Sequence, residues 1–294
     1  MAGRIVIGIH GLRNKPHKWL LTHWWKRSIR EGLAGIGREK RFFRFGMAYW
    51  ADVLHPAPLR FWIRNPENPL FIREKYHRRK DTIIREPGPL RKKFLDAVEK
   101  SMDKILLNED MTLNLSGITD KIIRVYFEDL HAYTSAEKTS AGYVIADCIR
   151  ERLSCMIRKH RGKRILLIAH SMGTLIAYDV LTRCVPDVPV DTFVTLGSPL
   201  GLPFCISRAA RYIPEPGVPE NITGQWVNLA DLSDPVAFNY TLSDDYPANG
   251  HGVRVTDMTV TNDFEHGGDR NPHKSYGYLR TPECAGIIHE FLSG

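Results

Sequence analysis

The stretch from Arg164 to Ala177 places a serine where it can act as a nucleophile. An apolar run, Ile165-Leu166-Leu167-Ile168, leads into Ala169-His170-Ser171-Met172-Gly173 and then into a helical pattern. A sharp strand-to-helix turn projects its serine hydroxyl only if the positions two before and two after it carry little bulk. Gly173 meets that demand, and so does Ala169, although the commonest form of the pattern has glycine there. The chemistry would be attack of the Ser171 hydroxyl on an acyl carbonyl after a base removes its proton. Charge then builds on one oxygen, where two fixed backbone amides can stabilise it. A second apolar strand ending in His10-Gly11 can supply one of them. The amides of Leu12 and Met172 are therefore the candidate oxyanion hole, and His10 is expected to shape its loop rather than to carry protons. A buried structural serine and a plain strand with a glycine turn are the alternatives.

These two segments, together with Thr195-Leu196-Gly197-Ser198-Pro199-Leu200, resemble an α/β-hydrolase of the lipase and serine-esterase kind. Within that superfamily the chain looks like the serine esterases similar to GPI-inositol-deacylase-like lipases. The resemblance covers residues 1–50 and 137–294 well and 51–136 poorly. It implies an α/β fold: a mostly parallel sheet with helices on both faces and an inserted cap.

The same resemblance implies that an acid and then a histidine follow the serine, each after a later strand. Gln225 to Ala230 reads as a strand, and both Asp231 and Asp234 follow it. Asp234 is preferred because Asp234-Pro235-Val236 is similar to the Asp-x-Val found there in many lipases; Asp231 remains the alternative acid. Gly252 to Asn262 alternates as a last strand would, and the loop after it holds His266 and His273. His273 is preferred because its surroundings resemble the His-x-x-Tyr ending of related hydrolases. His266 remains the alternative base, whereas His251 precedes the last strand and falls at the wrong end of the sheet.

The elements needed to position these groups alternate as in a parallel-sheet protein. Helices are expected over Lys15 to Gly35, over Ala136 to His160 with Tyr143 in its apolar stripe, and over Glu283 to Leu292. Strands are expected over Arg41 to Trp50 and Thr192 to Gly197, and a Pro/Gly-rich excursion over Pro199 to Gly224. Residues 51–135 are far longer than the usual connection of about 2 to 6 residues. They are expected to be a cap or lid within one 1–294 domain, helical at Arg91 to Leu107, with Asp129 and Tyr133 close enough on a helix to bond.

Charge concentrates in that insertion. Residues 60–93 carry eleven Lys and Arg against four acids, so this one segment nearly accounts for the net charge of +8. Phe61, Trp62, Ile63, Phe71, Ile72 and Tyr76 alternate with the cations. Such a surface is simply solvated, or docks on anionic lipid, or binds a nucleic-acid strand; no nucleic-acid module frames it, which leaves that partner disfavoured. The five cysteines are odd in number and form no Cys-x-x-Cys pair, so reduced thiols are expected. No apolar run reaches the roughly 18 residues of a membrane span, and the first core strand begins at Arg4, before a cleavable signal could fit. The expectation is a cytoplasmic protein, with contact at a membrane surface as an option. Neither zinc nor phosphate-loop motifs occur, and serine chemistry needs no cofactor, so none is expected.

The expected activity is a serine hydrolase that cleaves a carboxylic ester with an apolar or lipid-like acyl group through an acyl-enzyme. Thioester hydrolysis or acyl transfer would use the same residues. A non-catalytic protein binding through its basic insertion is the reading from another class.

Overall fold

The structure is a computed structural model and describes residues 3–79, 130–135, 137–202, 205–206, 209, 216–237 and 240–294. The expected helix at Arg91 to Leu107, Asp129, the basic residues beyond Arg79 and part of the Pro199 to Gly224 excursion lie outside the described residues.

Period-two alternation explains why the central strands read as continuous apolar runs: both faces of the sheet are covered. In β1 (Arg4–Ile9), Ile5, Ile7 and Ile9 face one core and Val6 the other. In β3 (Arg164–His170), Ile165, Leu167 and Ala169 join the first core while Leu166 and Ile168 join the second. The remaining main strands are β2 (Phe45–Ala48), β4 (Val190–Leu196), β5 (Ile222–Ala230) and β6 (Val255–Thr259). Among the described residues these six form one wholly parallel sheet in the order β2-β1-β3-β4-β5-β6. The chain thus runs one way from β1 to β2, jumps back over β1 to β3, and continues the other way.

Handedness then fixes which helix covers which face. The helix α1 (Lys18–Gly35) follows β1 and places Leu21, Trp25 and Ile29 in the second core. A short helix, α2 (Ala51–Leu54), follows β2. On the opposite face, α3 (Ile145–Lys159) contributes Ile149, Leu153 and Ile157, and α4 (Met172–Asp179) contributes Leu175 and Ile176. A π-helical turn at Val180–Cys184 extends α4. The two closing helices, α5 (Ser275–Tyr278) and α6 (Pro282–Ser293), return to the α1 side; Thr281 caps α6 by accepting the Cys284 amide at 3.3 Å. No helix among the described residues is long and apolar enough to cross a membrane.

Two departures from the sequence expectation have physical causes. The helix expected from Ala136 begins only at Ile145, because Thr139 to Gly142 forms a turn with Gly142 at φ 82 and the Thr139 amide donates back to Tyr143. Tyr143, expected in the apolar stripe, is consequently 68% exposed. The strand expected over Gly252 to Asn262 is shorter, and after it β7 (Glu265–His266) pairs antiparallel with β8 (Asp269–Arg270). Gly267 and Gly268, at φ 65 and 94, supply the two left-handed positions that a tight hairpin requires.

The contrast between two α3-region residues is measurable by urea denaturation. Leu153→Ala, which empties a fully buried site, is expected to lower the unfolding free energy by about 2–5 kcal/mol. Tyr143→Ala is expected to change it by less than about 0.5 kcal/mol.

Candidate active site

Parallel pairing aligns the C-terminal ends of the strands along one edge, where Ile9 lies beside Ala169 and His170 beside Leu196. The loop after β1 goes one way and the loop after β3 the other, which makes this the sheet's switch point, where the topology rule expects a ligand crevice. Ser171, itself buried, stands at that switch point, at the junction of β3 and α4. Its backbone turns with φ 55 and ψ −133, and Arg13, in the loop that faces it, is the other non-glycine residue with positive φ among the described residues. The Ser171 amide donates to the Leu196 carbonyl at 2.9 Å, and its carbonyl accepts from the Thr174 amide at 2.8 Å and the Thr174 hydroxyl at 2.7 Å. Ser198, from the Gly-Ser-Pro segment after β4, meets the Thr174 hydroxyl at 2.9 Å.

Close approach, rather than flexibility, explains two glycines here. A Cβ on Gly11 would lie 2.7 Å from Ser171 Cβ and 3.1 Å from its Oγ, and one on Gly173 would lie 2.7 Å from the His10 carbonyl oxygen. The Leu12 loop and the start of α4 can therefore meet at the serine only with glycine at both positions.

His273 and Asp234 reach the same place from other loops. His273 Nε2 is 2.9 Å from Ser171 Oγ, and His273 Nδ1 is 2.9 Å from both Asp234 carboxylate oxygens. Oδ1 of Asp234 also accepts the Val236 amide at 2.9 Å, and Oδ2 accepts the Tyr278 hydroxyl at 2.7 Å. The structure thus brings together Ser171, His273 and Asp234; Met172 follows the serine in the chain, and Gly11, which precedes Leu12, lies against it.

The alternative acid and base stand elsewhere. Asp231, almost fully buried, accepts the Ser233 amide at 2.7 Å and the Asn262 amide at 2.6 Å and forms a short ion pair with Arg270. Burial pushes its carboxyl up, against the pull of those donors. Its carbonyl accepts the Asp234 amide at 2.8 Å, so Asp231 builds the turn that presents Asp234. His266 sits exposed on the β7-β8 hairpin, and His251 is exposed in the loop before β6.

Two histidines next to this constellation are structural. Trp50 donates its amide to His10 Nε2 at 3.1 Å, so the proton is on Nδ1, which donates to the Gly11 carbonyl at 2.8 Å. His170 donates through Nε2 to the His273 carbonyl at 2.7 Å. Both are neutral, with proton affinity driven well below the ordinary range, first by burial and then by Lys15 beside His10 and His273 beside His170.

Sequence reasoning missed the residues that hold His273 in place. Asn262 donates to the Pro272 and Lys274 carbonyls at 2.8 Å each, Asn271 accepts the His273 amide at 3.1 Å, and Gly277 leaves the room that Asn262 occupies. Tyr278, rather than the Tyr276 of the His-x-x-Tyr likeness, reaches the acid; Tyr276 packs against Trp24 and Tyr76. Tyr133 donates to Asp179 on α4 at 2.7 Å.

Residues 128–209 match the family model of the PGAP1-like alpha/beta domain, a span that includes Ser171 but neither Asp234 nor His273. The chain is similar to the solved structure of dienelactone hydrolase from Anabaena variabilis, with a TM-score of 0.41 and 11% identity, over 99% of this chain and 85% of that one. No curated protein matches.

The two neutral histidines predict a pH dependence. Each has a lowered folded-state affinity, so the unfolded state binds the extra proton, and stability present above about pH 6.5 is lost as the pH falls below it. Each is expected to contribute a slope of about 1.4 kcal/mol per pH unit. Urea denaturation of wild type and His170→Asn between pH 7 and 5 is expected to show the variant's slope smaller by one proton.

Proposed function

We propose, on the premise that this chain has the α/β-hydrolase fold, that it is a serine hydrolase acting on carboxylic esters. The observation that carries this reading is the unbroken run Ser171 Oγ, His273 imidazole, Asp234 carboxylate, each contact 2.9 Å, at the mouth of the switch-point crevice. His273 Nε2 takes the Ser171 proton as Oγ attacks the ester carbonyl, and Asp234 holds the Nδ1 proton and stabilises the imidazolium. The Leu12 and Met172 amides receive the developing oxyanion. His273 then returns the proton to the departing alcohol, leaving an acyl-serine. Water, activated by the same imidazole, releases the acid and restores Ser171.

The acyl group we assign to the substrate is apolar or lipid-like, supported by the match to the PGAP1-like domain across the serine elbow. Thioester cleavage or transfer to an alcohol would change only the leaving group or the acceptor. A rate comparison on short and long acyl esters tests the assignment, and a steep preference for acetyl esters would overturn it.

A fluorophosphonate, which captures an activated serine, is expected to place one adduct on Ser171, mapped by peptide mass, and none on Ser171→Ala. Absence of an adduct in folded wild type would sink the hydrolase reading. Paired substitutions separate the two acids. Asp234→Asn is expected to lower kcat by about 10⁴-fold with a nearly unchanged denaturation midpoint. Asp231→Asn is expected instead to cost about 1–3 kcal/mol of stability through its orphaned partners.

A further inference from the structure

Beside the candidate active site the surface carries three large aromatic side chains that nothing among the described residues covers. Trp19 is 56% exposed, Phe61 50% and Trp62 62%. They are contiguous: Phe61 meets Trp19 edge-on at 6.4 Å between ring centroids and Trp62 edge-on at 5.0 Å. Scattered exposed apolar residues are ordinary, but a continuous aromatic patch marks an interaction surface.

The patch is tied to the loop that presents Leu12. Asn14 donates to the Ala57 carbonyl at 2.8 Å, the Leu59 amide donates to the Lys15 carbonyl at 2.9 Å, and Pro16 pairs with Leu59 as an isolated bridge. Lys15 in turn donates to the Leu12 carbonyl. The patch therefore flanks the side of the crevice formed by the β1 loop.

Its charge indicates the partner. Arg60 lies over the Trp62 ring at 5.6 Å, Lys75 reaches the Phe61 carbonyl at 3.5 Å, and Arg64, Lys18 and Arg13 are exposed on the same two segments. Among described residues 60–79 there are six Lys and Arg against two acids, and one of those acids, Glu74, is already paired with Lys274. Indole and phenyl rings standing beside arginine and lysine match the boundary of a bilayer, where the rings enter the headgroup layer and the cations meet anionic headgroups.

We propose that Trp19, Phe61 and Trp62, with Arg60, Arg64 and Lys75, form a docking surface for an anionic lipid bilayer, which presents the mouth of the crevice to the membrane surface. Nucleic acid would also attract the cations and stack on the rings. The bilayer is favoured because the rings pack edge to edge as one apolar cluster, rather than spaced as separate platforms for successive bases.

The test uses the whole protein and large unilamellar vesicles of neutral phosphatidylcholine, with or without added phosphatidylglycerol. Expected is co-flotation with the anionic vesicles and a blue shift of tryptophan emission, both weakened by salt. Arg60→Gln/Lys75→Gln is expected to weaken binding by about fivefold per charge removed. Trp19→Ala/Trp62→Ala is expected to weaken it by at least about tenfold, with an unchanged melting temperature and unchanged turnover of a water-soluble short-chain ester. Ser171→Ala should bind vesicles as wild type does, so this surface and the hydrolase reading fail separately. No binding by wild type, binding equally strong to neutral vesicles, or full binding by the tryptophan variant overturns the proposal. Tighter retention on a single-stranded oligonucleotide, lost in the same variant, would assign the surface to nucleic acid instead.

Discussion

The backbone of Ser171, turned to φ 55 and ψ −133, is the constraint around which the rest of the site is arranged. A side chain in that region costs about 1–3 kcal/mol and persists only where its surroundings over-determine it. Here the strand end supplies one hydrogen bond, from the Ser171 amide to Leu196, and Thr174 supplies two to the Ser171 carbonyl. The end of β1 closes against the elbow so tightly that neither Gly11 nor Gly173 has space for a methyl group. The same contacts that hold the strained turn also bring the Leu12 loop to the serine. Strain and preorganisation are here one feature.

The histidine loop is fixed by a comparable density of bonds, and these divide the work between two nearby acids. Asp231 spends its carboxylate on the Ser233 and Asn262 amides and on Arg270, a set that neutralises its charge and leaves it architectural. Asn262, held by Asp231, grips the carbonyls on either side of His273, while His170 holds the His273 carbonyl itself. Among the described residues, the Asp234 carboxylate accepts from one amide, one phenol and the His273 imidazole. Tyr278 joins the two acids, donating to Asp234 and accepting the Asp231 amide at 3.0 Å. Environment, not residue type, separates an aspartate tied to Arg270 from one that bonds the His273 imidazole.

What the sequence revealed follows from how local each cause is. The β3 strand and its serine turn were legible because apolar run, small flanking residues and helix all lie within Arg164 to Ala177. Choosing between Asp231 and Asp234, or between His266 and His273, was not a local question, since both members of each pair have similar spacing to the serine. Three-dimensional neighbours set their surroundings apart: Arg270 pairs with Asp231, and the Gly267-Gly268 hairpin carries His266 away. Asn262 and Tyr278 were invisible for the same reason, as their partners lie on other loops. Tyr143 misled because an apolar residue one turn before a helix looks like a continuation of its stripe until the Thr139 to Gly142 turn is known.

The basic segment carries an electrostatic consequence for the surroundings of His273 as well as an exposed aromatic face. Lys274 immediately follows His273, and an imidazolium forming there would stand beside a second cation. Glu74 meets that ammonium at 2.7 Å, and its carboxyl also accepts from Asn271 at 2.7 Å. Burial alone would push the Glu74 carboxyl up, but Lys274, Asn271 and His266 together bring it below its usual range, so it stays ionised at neutral pH. The rings of Tyr276 and Phe264 take up more of the ammonium's field, at 5.5 and 5.8 Å. Further along, Arg79 pairs with Asp263, which also holds the buried Arg280, while Tyr76 bonds Glu31 on α1. A segment rich in cations is thereby anchored through Glu74, Tyr76 and Arg79. Its Glu74 offsets the Lys274 charge next to His273, while Arg60, Arg64 and Lys75 are left exposed on the segment that carries Phe61 and Trp62.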